Sequence, residues 1–241
     1  MIEMPKYAPL VIVMFLGACS GLLFTGLAFL YGLVTRKRRV MQVSAALAAS
    51  GVLLYATLLL GFSLASADKV LAVGDQKHFC EVDCHIAYSV TSVTNASELG
   101  VGEKRISAAG KFYVVRVQTW FDPTTIGSFR GNGPLAPSPR KVAVLDEAGR
   151  EFSPSQPGQR TYELTPGATT TPLTTPLRPG ESYSTDFVFD LPADVRQPRL
   201  LVGDVDPISA LIIGHEDSPL HKKIYFAISP AAPINNAKSL R

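Results

Sequence analysis

Charge is scarce in this sequence. Of 241 residues, 18% are Asp, Glu, Lys or Arg, against about 25% in an ordinary soluble domain. The shortage is local. Residues 1–66 carry five basic side chains (Lys6, Arg36, Lys37, Arg38 and Arg39) and one acid, Glu3, whereas residues 67–241 carry 18 basic and 19 acidic side chains. The net charge of +3 is therefore a basic cluster joined to a near-neutral body. A nucleic-acid partner needs a basic face on the folded domain, and the near-neutral balance of residues 67–241 removes most of the case for one. A wholly soluble chain and an acidic disordered one are excluded on the same grounds.

Catalytic patterns are missing too. The sequence has no G-x-S-x-G elbow, no phosphate-binding glycine loop and no His-Glu-x-x-His helix. The expectation is a protein that is not an enzyme.

What is present begins with two long uncharged runs, residues 8–34 and 43–66. A bilayer core about 30 Å thick takes roughly 20 apolar residues in a helix, and a helix hides every backbone polar group from lipid. Between the runs, Arg36, Lys37, Arg38 and Arg39 lie in the expected loop 35–42. Clustered cations in a short loop are retained on the cytoplasmic side and also suit anionic lipid. Residues 1–66 are thus expected to form a transmembrane hairpin in the inner membrane of a bacterium, with both termini extracytoplasmic.

The first run is too long for a cleavable signal, and Glu3 sits in its basic end. Leu16-Gly17-Ala18-Cys19 looks like a lipobox, but the apolar run continues where a mature lipoprotein turns polar. Gly17 and Gly21 form a G-x-x-x-G pair, and Ser44, Ala45, Ala48 and Ala49 a small-residue stripe. Their expected use is close packing of the two helices. No ionisable residue lies inside either span, which argues against an ion path or proton relay there.

After Ser66 the composition changes. Sixteen of the 18 prolines lie beyond residue 67, and the apolar runs become short. Strands are expected at residues 87–90, 112–121, 142–146, 182–191, 200–202 and 223–228, with a return strand at Glu151-Phe152. Pro179-Gly180 marks a turn and Pro192 a stop. No long segment of helical period follows residue 67. Residues 67–241 are therefore expected to form one extracytoplasmic, all-β antiparallel sandwich. The ten prolines of residues 122–179 read as a stiffened surface wrap, or as binding loops with an embedded hairpin.

Gly110-Lys111-Phe112-Tyr113-Val114-Val115-Arg116-Val117 and the stretch from Leu177 through Pro179-Gly180-Glu181 to Pro192 carry a resemblance. This pattern of turns and apolar positions resembles bacterial immunoglobulin-like extracytoplasmic domains of the telokin-like type, over about residues 85–230. The resemblance implies a sandwich without catalytic residues. The Pro-rich stretch and a Cys/His segment depart from it.

That segment is His78-Phe79-Cys80-Glu81-Val82-Asp83-Cys84-His85. It holds two of three cysteines and two of four histidines; the others, His215 and His221, lie together beside Glu216 and Asp217. Three readings stand for it. One is a Cys80–Cys84 disulfide in an oxidising compartment. It requires a turn, because residues four apart in a strand are about 13 Å apart and a disulfide spans about 4.4–6.8 Å between Cα atoms. Another is a copper or zinc site using His78, Cys80, Cys84 and His85, with His215 or His221 closing the shell. Its spacing is similar to that of copper-delivery proteins of respiratory-oxidase assembly, although their thioredoxin-like βαβ pattern is missing. The last is covalent haem through Cys80 to His85, one residue longer than Cys-x-x-Cys-His. Pro219 places His215–His221 in a loop, not a metal-binding helix.

The expected function is interaction: an accessory subunit held by the lipid bilayer, docking onto a larger membrane complex, without a cofactor. The alternative is a periplasmic copper or redox carrier built on Cys80, Cys84 and His85, with haem as a variant.

Overall fold

The computed structural model describes residues 4–79, 85–127 and 130–228. They fall into two compact units. One joins the chain up to Lys69 with Asp206–Lys223; the other joins Val70–Val205 with the chain from Ile224.

The first unit contains helices α1 (Met4–Val34) and α2 (Arg38–Leu64). Leu10–Val34 has mean hydropathy 2.3 and Arg38–Leu64 has 2.0, so both are apolar and long enough to cross a bilayer. The expected loop 35–42 contracts to Thr35–Lys37, because nothing in Arg38–Gln42 stops a helix and Arg, Met and Gln favour one. The turn itself is specific. Arg36 N–H donates to Leu33 O at 3.2 Å and Lys37 N–H to Gly32 O at 2.9 Å, the paired bonds of a Schellman cap. Arg36 occupies the left-handed position (φ 55°) that glycine normally takes.

The expected packing role of Gly17 and Gly21 is corrected. A Cβ added at either would meet nothing within 4 Å, whereas one at Gly32 would lie 2.9 Å from Met41 Cγ and 3.0 Å from Met41 N. Close approach is set by the three-residue turn, so the glycine that matters is the one beside it. Of the second stripe, Ser44 is buried and Ala45 and Ala49 are exposed.

The second unit is built of two sheets. The four-stranded sheet runs β2 (Lys77–Phe79), β3 (Ile86–Leu99), β4 (Ile106–Phe121), β7 (Ser182–Leu191). The five-stranded sheet runs β1 (Lys69–Leu71), β9 (Ile224–Ala227), β8 (Arg199–Asp204), β5 (Arg140–Leu145), β6 (Glu151–Phe152). The pairings within β2-β3-β4-β7, and β9-β8-β5-β6 in the other sheet, are antiparallel.

β-branched and aromatic residues at alternate positions explain the layering. Val115, Val117 and Phe121 of β4 face one core with Tyr88 and Val90 of β3 and Phe189 of β7. Val144 of β5, Leu200 and Val202 of β8 and Phe226 of β9 fill it from the other sheet. Phe112 and Val114 point the other way and join Leu99 and Val188 in a second, smaller cluster. The middle of β4 is thus buried on both faces.

A short helix, α3 (Gln156–Tyr162), packs on that outer face. Ser155 caps it, accepting from Gly158 N–H, and a Cβ at Gly158 would come within 2.8 Å of Val188 Cγ1. The Pro-rich stretch therefore contains β5, β6 and α3. Pro179-Gly180 makes the expected turn, with Gly180 at φ 83° and Glu181 N–H donating to Arg178 O at 2.9 Å.

β7 ends the four-stranded sheet, and its outer edge is occupied. Asp186 N–H donates to Thr169 O at 2.8 Å, and Ser155 N–H to Val188 O at 2.7 Å. Val188 N–H donates to the Gln159 side chain at 3.0 Å, and Thr170 bridges Thr185. Behind this strap Arg116 and Asp186, directly opposite in register, form a two-point ion pair at 2.7 and 2.8 Å. Asp186 is 1% exposed.

Candidate functional site

Three segments meet at one end of the four-stranded sheet. β2 ends at Phe79, which pairs with Ile86, the first residue of β3; Ile86 in turn pairs with Phe121, the last of β4. Residues 80–85 therefore connect two antiparallel strands. Past Phe121 the chain turns through Asp122-Pro123-Thr124-Thr125. Asp122 caps this turn, its carboxylate accepting from Thr124 N–H at 2.8 Å and Thr124 Oγ1 at 2.7 Å. Proline directly after the cap suits the start of such a turn. The Asp122 N–H donates to His85 O at 2.8 Å, tying the turn to the strand connection.

Both histidines of the Cys/His segment are held here. His78 Nε2 lies 3.0 Å from Asp122 Oδ2, so Nε2 carries the proton and Nδ1 is the basic nitrogen when the ring is neutral. Burial pushes the Asp122 carboxyl up, but the Thr124 donors and His78 outweigh it and hold the group below its ordinary value.

His85 is 2% exposed and stacks on Phe121, with ring centroids 5.3 Å apart. Its Nδ1 lies 2.5 Å from Thr125 Oγ1. The Thr125 hydroxyl has one hydrogen, and it is donated to Asp122 O at 2.9 Å. With the hydroxyl hydrogen placed there, His85 Nδ1 donates to Thr125 Oγ1.

Cys80 and Cys84 lie outside the described residues. Among the described residues no three His, Cys, Asp or Glu side chains gather as a metal would need. His215 and His221 belong to the other unit and serve turns there. Asp217 N–H donates to His215 Nδ1 at 3.1 Å, Lys223 Nζ donates to Asp217 at 2.6 Å, and His221 Nδ1 donates to Lys222 O at 2.6 Å.

Asp122 and Thr125 are neighbours of the two histidines that the sequence reading missed. The available signal was Asp122-Pro123 followed by two threonines, the pattern of a capped turn. A second missed feature is a set of buried cations in the same unit. Lys77 is 5% exposed, and its Nζ donates to Val202 O at 2.6 Å and Ile224 O at 3.2 Å. It also lies 4.7 Å from the Phe79 ring centroid. Arg140, its side chain fully covered, pairs with Asp204 at 3.2 Å and lies over the same Phe79 ring at 4.1 Å.

No protein-family profile matches the chain, and no curated protein matches it. Among solved structures, a conserved hypothetical protein from Bacillus anthracis shares 17% identity at a TM-score of 0.42, over 54% of this chain and 88% of its own. A secreted protein from Mycobacterium tuberculosis shares 8% identity at a TM-score of 0.39, over 67% of this chain and 97% of its own.

Proposed function

We propose that the chain is a membrane-anchored, extracytoplasmic interaction subunit. On this reading the hairpin holds an immunoglobulin-like sandwich outside the cytoplasmic membrane of a bacterium, and the protein works as an accessory to a larger membrane complex rather than as an enzyme. The observation that carries the anchoring is the placement of the cations. Arg38 and Arg39 begin α2, whose first turn has no side-chain cap, at the helix end where the macrodipole disfavours positive charge. Folding alone gives no reason for them there, whereas retention of a cationic turn on the cytoplasmic side does. The sheet unit supports the sandwich by its two layers over one core.

A reporter active only outside the cytoplasm, fused after Ser66, is expected to be active. Replacing Arg36, Lys37, Arg38 and Arg39 together by Gln should cut that activity severalfold. An inactive fusion in the parent sequence overturns the orientation. Recovery of the chain from mild detergent in a complex with a second membrane protein supports the accessory role, and recovery only as a single species counts against it.

A second reading, a copper or redox carrier, has one specific observation in its favour. His78 and His85 flank residues 80–84, with His78 Nε2 held by Asp122 and His85 Nδ1 by Thr125. Ligand histidines are held that way. Protein freed of metal and titrated with Cu(I) or Zn²⁺ against a chelator separates the two. One equivalent bound, and lost in both Cys80→Ser and His85→Gln, favours the carrier. No uptake, with Cys80 and Cys84 unreactive to thiol reagents until reduced, favours a structural disulfide in an interaction domain.

A further inference from the structure

The helical unit contains a third element that the hairpin reading does not use. Asp206–Lys223 groups with α1 and α2. Within it Ile208-Ser209-Ala210-Leu211-Ile212-Ile213 is uncharged, bounded by Asp206-Pro207 on one side and Gly214-His215 on the other. This run is not a strand. It opens with a 3-10 turn at Pro207–Leu211 and continues as turns that repeat every three residues. Ile212 N–H donates to Ser209 O at 3.1 Å, His215 N–H to Ile212 O at 3.1 Å, and Ser218 N–H to His215 O at 3.0 Å. Two serine hydroxyls add bonds, Ser209 to Asp206 O at 2.5 Å and Ser218 to Ile212 O at 2.6 Å. Much of its backbone polarity is therefore met inside the segment.

Two anchor points set the segment along α2. Tyr55 Oη donates to Leu211 O at 2.7 Å. At the other end Ser66 Oγ accepts from Lys222 N–H at 2.8 Å, and Asp68 accepts from Lys223 N–H at 3.0 Å. Tyr55 lies roughly 14 Å along the helix axis from the end of α2 at Leu64, and Ser66 follows two residues later. If Arg38 and Arg39 mark the cytoplasmic surface, a core of about 30 Å uses about 20 residues of α2 and ends near Leu59. Tyr55 then lies about 6 Å inside the far boundary and the end of α2 at Leu64 about 8 Å beyond it, with Ser66 after that end.

The polarity of the segment follows this ruler. Ile208 is 52% and Leu211 51% exposed, both at the deep end. Lys222 and Lys223 are at the shallow end, with Lys223 paired to Asp217.

We infer that residues 207–213 form an interfacial lipid anchor: a turn-rich apolar tip, hydrogen-bonded to Tyr55, that enters the outer leaflet beside α2. The ligand is the bilayer itself, at the headgroup–acyl boundary where apolar side chains of interfacial segments bury about 5–10 Å deep. This rests on reading the hairpin as membrane-spanning.

The test uses the full chain in phosphatidylcholine vesicles. Trp120 is the only tryptophan, so a W120F background allows single probes: I208W and L211W in the tip, and L47W in α2, where Leu47 is 59% exposed. Lipids brominated at shallow or deep acyl positions quench a tryptophan according to its depth. The expected result is loss of roughly half the emission of I208W and L211W with shallow bromines, with less loss from deep ones, and the reverse order for L47W. Quenched L47W with unquenched I208W and L211W overturns the anchor and leaves the hairpin standing. Unquenched L47W overturns both.

Discussion

Asp186→Ala is expected to lower the unfolding free energy of the sheet unit by about 1–3 kcal/mol, the range for hydrogen bonds to a charged group, because the Arg116 side chain left behind is 34% exposed and water screens it. The variant leaves Arg116 without its carboxylate in a place built for the pair. Arg116 also donates to Gly167 O at 2.9 Å, and the Asp186 carboxylate accepts from Thr169 N–H at 2.9 Å. One substitution therefore removes the side-chain bonds that tie β4, β7 and the 167–169 segment together, while the backbone bonds among them stay. Urea unfolding of the full chain in mild detergent, followed by emission from Trp120 on β4, measures it. A loss below about 1 kcal/mol would mean the pair is no better than an exposed one.

The same residue predicts an acid limb. Burial pushes the Asp186 carboxyl up, but the Arg116 guanidinium and the Thr169 donors outweigh it and hold the group below its usual value. A group depressed in the folded state contributes stability above its unfolded pKa of about 3.9 and loses it as pH falls through the folded value. Stability of the parent should fall below about pH 4, and Asp186→Ala should flatten that fall.

Lys77→Met is the second large effect, expected at about 2–4 kcal/mol from one buried and one half-buried carbonyl losing a charged donor. Arg199 pairs with Ala227 and Leu200 with Phe226; by that register Val202 stands opposite Ile224. The Lys77 ammonium bonds both of their carbonyls. It reaches them from β2, so one side chain of the four-stranded sheet closes the end of a ladder in the five-stranded sheet. Methionine keeps most of the volume and removes the charge, which isolates the electrostatic part. The same urea titration checks it. Unchanged or higher stability would mean that burying the ammonium costs as much as its bonds return.

The elements that were readable in the sequence are those with a strong local signal. Phe112–Phe121 and Ser182–Leu191 alternate β-branched and aromatic residues, and Pro179-Gly180 has one favoured turn. The two apolar runs became α1 and α2. What escaped was either too short or fixed from a distance. β1 and β2 have three residues each, below the length at which alternation can be seen. α3 carries Pro157-Gly158, which reads as a turn, and forms because Ser155 caps it and β7 receives it. Gly17 and Gly21 matched a packing pattern, but Gly32 holds the close approach because the turn contracted. At the candidate site His78 and His85 stood out by type. Asp122 and Thr125, more than thirty residues away, could not be placed beside them before the β3–β4 register was known.

The strap across the outer side of β7 has a consequence for how copies of this chain meet. A ten-residue strand with its hydrogen-bonding side bare would template a neighbouring copy, and on the anchoring proposed above such copies would meet confined to two dimensions. Thr169, Thr170, Ser155 and Gln159 already fill those valences, so chance collisions find nothing to zip onto. Loosening the strap should therefore produce sheet-joined polymers before it produces unfolded monomers.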